Sequence, residues 1–134
     1  MSVSNNFLRL GVLAALVGMS LGAWMGAKET FTLMPVHAHI NLLGFASMML
    51  FGLFYRSFPA AAQGWMPVAH FALAVIGFLV MVPTLAWMLL GHPEIGPVLG
   101  ISTIVLVVSM LLFVVIVFRA TGRKDDARAQ AVAQ

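Results

Sequence analysis

The stretch from Ile95 to Phe118 reads IGPVLGISTIVLVVSMLLFVVIVF and holds no charged side chain. A helix rises about 1.5 Å per residue, so this run alone crosses the roughly 30 Å hydrocarbon core of a bilayer. Similar runs lie at about residues 10–27, 33–55 and 68–90. None alternates apolar with polar residues as a barrel strand does, and a helix satisfies its own backbone in lipid. The sequence therefore predicts an all-α, integral membrane four-helix unit over residues 1–118, then a polar tail at 119–134 that frays. The links are short: Lys28 to Thr32, a segment holding Pro59, Gly64 and Pro67, and Gly91-His92-Pro93-Glu94.

Composition agrees. Apolar residues make up 62% of the chain and charged residues 8%, against roughly 25% charged in a soluble domain. A single domain is expected at this length. Cysteine is absent, which excludes disulfides, thiolate metal sites and covalent haem attachment through C-x-x-C-H. The net charge of +3 comes from Arg and Lys at helix ends, a topology signal and no sign of nucleic-acid binding. Arg9, Arg56, Arg119, Arg123, Lys124 and Arg128 fall on one side of a four-span arrangement and Lys28 alone on the other. The positive-inside rule then places the N and C termini in the cytoplasm. Trp24 and Trp87 mark the outer boundary and Trp65 the inner one.

The first apolar run also has the outline of a signal peptide. The residues before Lys28, Trp-Met-Gly-Ala, make a poor cleavage site, so the helix is expected to stay. It carries Gly18, Gly22 and Gly26 at four-residue spacing, with Gly11 on nearly the same face. Such a strip admits a close neighbour: another helix of the same unit, a second subunit or a flat ligand.

Chemistry, if present, belongs to the histidines at 37, 39, 70 and 92, since ionisable groups within a membrane are costly and mark function by default. His37 and His39 lie in the outer third of the second span, His92 in the outer loop. His70 opens the third span at the opposite face, where a capping or interfacial role is the simplest reading. Residues two apart on a helix are about 200° apart, so His37 and His39 point to opposite sides and suit two different sites. Imidazole serves haem iron, copper and zinc. Zinc wants three or four converging ligands, whereas haem needs one or two and fits flat between apolar helices. Asn41 is placed to orient an imidazole on a neighbouring helix. The plainer alternative is a pair of interfacial histidines solvated at the membrane edge.

Val36-His37-Ala38-His39-Ile40-Asn41-Leu42-Leu43-Gly44-Phe45, with Gly52-Leu53-Phe54-Tyr55-Arg56-Ser57-Phe58-Pro59, resembles the tenth helix of subunit I of the haem-copper oxidases. Ala69-His70-Phe71, Ile76-Gly77 and Val82-Pro83 resemble the eleventh, and the fourth span corresponds to the twelfth as an apolar segment. The His-Ala-His is also similar to that of NnrS-type haem proteins linked to nitric oxide stress. The resemblance implies that His37 and His39 are axial ligands of haem iron, the first in the position that binds a high-spin haem and the second a low-spin one. The residue aligned with His70 is not a ligand in that family.

His92-Pro93-Glu94 imitates the family's copper-site motif, but it sits in a loop and no adjacent His-His pair exists in the chain. A turn opening the fourth helix is the simpler reading, which disfavours copper and His92 as a metal ligand. No Asp, Glu or Lys falls within a span, so an oxygen-reducing proton pump is not expected. The resemblance implies a membrane b-type cytochrome of the bacterial cytoplasmic (inner) membrane, binding haem b for electron transfer or for a diatomic gas. Haem or copper delivery, respiratory-complex assembly and a cofactor-free structural subunit are the alternatives. Subunit I is built from three arcs of four helices, and this chain looks like one arc. A homo-oligomer is thus expected, a trimer before a tetramer, with haem at the subunit interfaces and an undefined redox partner.

Overall fold

The computed structural model describes the backbone over residues 2–132 and side chains through residue 122. Within it α1 spans Val3–Lys28, α2 Met34–Ser57, α3 Trp65–Leu89 and α4 Gly96–Val132. Short 3-10 turns at Pro59–Ala62 and Pro93–Ile95 lead into α3 and α4. All four helices contain a stretch long and apolar enough to cross a membrane, and no strand occurs among the described residues.

Two boundaries differ from expectation. Helix α1 begins two turns before the apolar run at residue 10, because its first turns are packed. Phe7 is fully buried, and the Ser4 hydroxyl donates to the Gly52 carbonyl oxygen of α2 at 2.8 Å. Hydropathy does not register a serine that a neighbouring helix satisfies. Helix α4 continues past Phe118 to Val132, where a frayed tail was expected. The side chains of Arg123, Lys124 and Arg128, which enter the charge count for topology, lie outside the described residues.

Turns follow local chemistry. Glu29 ends α1 in the left-handed conformation, its N–H closing on Gly26 and Met25 carbonyls. Gly64, at φ 83°, precedes α3 and Gly91, at φ 103°, follows it; both conformations favour glycine. Proline occupies the first turn of α2, where a missing N–H costs no helical hydrogen bond.

The helices alternate in direction. Phe7 from the start of α1, Tyr55 from the end of α2, Ala74 from early α3 and Ile116 from late α4 share one apolar cluster. A second cluster nearer the loop end joins Ala14, Val36, Ile40, Met81 and Leu85. Three glycines of the α1 strip serve this internal packing. A β-carbon at Gly11 would meet Met49, at Gly18 it would meet Asn41, and at Gly22 it would meet His37, whereas Gly26 faces open space.

Directly after His39, α2 widens into a π-helix over Ile40–Ser47. In an α-helix a row of every fourth residue drifts about 40° per step, and a wider turn counters that drift. Val36, Ile40, Gly44 and Met48 accordingly remain buried in one row. Segments of this kind are often found at functional sites.

Candidate functional site

The His-Ala-His motif sits in the last α-helical turn before the π segment, and its two imidazoles leave α2 on different sides. His37 turns toward α1. Its Nδ1–H donates to the Gly18 carbonyl oxygen at 2.8 Å, a reach that exists because Gly22 carries no side chain; a β-carbon there would fall 2.7 Å from the ring's Cε1. Asn41, expected to steady an imidazole on a neighbouring helix, acts on its own helix instead. Four residues apart on one face, its amide donates to the His37 carbonyl oxygen at 2.9 Å and lies 3.4 Å from the ring Nε2. The bare backbone of Gly18 accommodates that amide.

His39 turns the other way. Its Nδ1–H donates to the Pro35 carbonyl oxygen at 2.7 Å, and the ring borders a groove of about 390 Å³ between α2, α3 and α4. Leu43, Phe51, Met81, Leu85 and Leu106 form much of its wall, with Ser47 and Thr103 as polar points. The hydroxyls of those two are spent on their own helices, donating to Leu42 and Leu99 carbonyls.

In both rings the backbone carbonyl fixes the Nδ1–H tautomer, which leaves the lone pair on Nε2. This is the arrangement of a metal-ligating histidine whose other nitrogen is anchored. The donors therefore fit haem iron, and the fit is better at His39. There Nε2 has no partner among the described residues, and the adjoining groove is apolar and in the size range of ligand sites. At His37 the Asn41 amide stands close to Nε2, so approach is narrower.

His92 lies apart from both. It stacks on Trp87 with ring centroids 4.1 Å apart and planes 12° from parallel, and its Nδ1–H donates to Glu94 at 3.1 Å. Both side chains of that pair are exposed. The loop is a turn stapled by these two contacts, and among the described residues no group of three or more His, Asp or Glu side chains converges.

His70 departs from expectation. It is not interfacial but completely buried, hydrogen-bonded through Nδ1 to the Tyr55 hydroxyl at 2.9 Å. The rings of Phe7, Phe51 and Phe113 surround it at centroid distances of 5.1, 4.6 and 4.9 Å. In the sequence Tyr55 is one residue of the aromatic stretch Gly52-Leu53-Phe54-Tyr55-Arg56-Ser57-Phe58. Its being the single tyrosine of the chain was the available signal.

Comparison with family models, curated proteins and solved structures finds no match.

The geometry around His37 makes Gly22 a positioning residue. Gly22→Ala is expected to push the His37 ring off the Gly18 carbonyl while leaving the helices intact, since only a ring edge opposes the new methyl. Nitrogen NMR of labelled histidine checks it: the His37 tautomer signal should shift or broaden and that of His39 should not.

Proposed function

We propose that this chain is a membrane b-type cytochrome, binding haem b non-covalently for electron transfer or for a diatomic gas such as nitric oxide or oxygen. The observation that carries this reading is His39, whose Nδ1 is held by the Pro35 carbonyl while its ring borders an apolar groove. Bound haem would supply one-electron chemistry. The protein's part is to orient the imidazole through the Nδ1–H donation and to exclude water with aliphatic and aromatic walls. His37 is the second ligand in this reading, its ring oriented by the Gly18 carbonyl and steadied by Asn41.

The chain would work as a homo-oligomer in a bacterial inner membrane, both termini cytoplasmic, with a trimer preferred to a tetramer and one haem per chain at the subunit interfaces. Two features support an interface. The imidazoles lie on different flanks of α2, so one chain does not turn both to the same iron, and a closed ring pairs unlike flanks of successive copies. Gly26 leaves the α1 backbone bare beyond the His37 seat, where a neighbour can approach closely.

The visible spectrum of detergent-purified protein, with native mass spectrometry that retains haem, tests both parts. Sharp split bands on reduction and a trimer carrying one haem per chain are expected. Pigment-free protein from haem-replete cells would overturn the cytochrome reading, and a haem-loaded monomer would overturn the interface.

A further inference from the structure

The Tyr55–His70 pair lies outside the proposed haem-ligand set, and its chemistry is unusual for a helix-bundle core. Tyr55 is 1% exposed and His70 0%. Among the described residues the Tyr55 hydroxyl has His70 as its only hydrogen-bond partner, so the arrangement that satisfies most groups has the phenol donating to Nδ1. Nε2 then carries the other ring proton. That nitrogen is buried and has no hydrogen-bond partner among the described residues; the rings of Phe7, Phe51 and Phe113 pack around the imidazole, and an N–H makes weak contacts with an aromatic ring at best. Leaving a buried polar atom unmatched is costly, and such groups in folded proteins call for an explanation, redox or catalytic roles among them. Phenylalanine or leucine would fill the same space without that cost.

What the pair can do follows from its atoms. A phenol that loses an electron becomes a strong acid, and oxidation is feasible in an apolar interior only if a base takes the proton at once. His70 Nδ1 is that base, already hydrogen-bonded. The resulting imidazolium would lie against the stacked Phe113 ring, 4.9 Å away between centroids, whose face attracts a buried cation. Phe51 and Ser109 connect this cage to the groove beside His39: both border the groove, Phe51 packs edge-on to His70, and the Ser109 hydroxyl donates to the His70 carbonyl oxygen at 3.3 Å.

We propose that Tyr55 and His70 form a proton-coupled redox site. A high-potential one-electron oxidant of the outer-sphere type removes one electron from Tyr55. The phenolic O–H bond breaks, an N–H bond forms at His70 Nδ1, and the products are a neutral tyrosyl radical and an imidazolium. One-electron reduction returns the proton to the phenolate oxygen. This site does not depend on haem binding.

The experiment uses full-length protein in nanodiscs, freed of any haem, and photogenerated tris(bipyridine)ruthenium(III) as oxidant, with freeze-quench electron paramagnetic resonance as readout. A neutral tyrosyl signal is expected, forming more slowly in deuterium oxide than in water. With one tyrosine in the chain its assignment is direct, and Tyr55→Phe should leave only tryptophan radicals. His70→Gln keeps a hydrogen-bond acceptor but not a proton acceptor, and should lower the tyrosyl yield by about tenfold or more, a difference of about 1.4 kcal/mol in barrier. His70→Phe, which suits the aromatic cage, should do the same and guards against misfolding of the first variant. An undiminished tyrosyl signal in both His70 variants, or a wild-type protein that yields only tryptophan radicals, would overturn the proposal.

Discussion

His39→Ala is expected to leave the protein folded and nearly free of haem, with affinity lowered roughly 100-fold or more. Losing even an outer partner of a metal ligand costs about 10- to 100-fold, and this substitution removes the ligand itself. The fold should survive because the His39 ring contributes a single hydrogen bond within its own helix and belongs to neither apolar cluster. Free imidazole added to the variant should restore the reduced bands, since the groove beside residue 39 would then have room for it. His37→Ala should lose haem or change its spin state, while His70→Ala should leave the bands in place because that ring is sealed in an aromatic cage. Titration of haem into apoprotein, followed by its absorbance, checks all three. A fully pigmented His39→Ala protein, or bleaching by His70→Ala, would displace the proposed ligand set.

The largest expected effect on the fold is at Gly44. It lies in the π segment where α2 meets both α1 and α3; an added β-carbon would overlap the Phe78 ring and sit 2.8 Å from the Ala14 β-carbon. Gly44→Leu should therefore separate the helices and cost about 3 kcal/mol, the upper end for overpacking a filled site. The effect isolates tertiary packing. Leucine raises the apolar character of α2, so insertion is not impaired, and lipid tails offer no hydrophobic penalty for exposing a helix face. Far-ultraviolet circular dichroism should consequently stay unchanged while the unfolding midpoint in sodium dodecyl sulfate falls. Adding Phe78→Ala should restore part of the loss. Unaltered stability of Gly44→Leu would mean that α2 and α3 approach less closely than Gly44 and Phe78 indicate.

Much of this molecule was legible from sequence because the deciding properties are local. The run at 95–118 and its three counterparts needed only length and hydropathy to be read as helices. The separation of His37 from His39 needed only the angle per residue. Tertiary structure decided the rest. It placed His37 against Gly18 and Gly22, set Asn41 on its own helix's imidazole, and closed the Tyr55–His70 cage. It also moved the start of α1 into the core through Ser4 and Phe7. The physical reason is the solvent. In water a helix advertises its buried face by polarity, but a helix in lipid is largely apolar all round. Which face packs inward is then settled by shape, by bare glycine backbone and by a few hydrogen bonds. Those belong to pairs of helices, and no single stretch of sequence carries them.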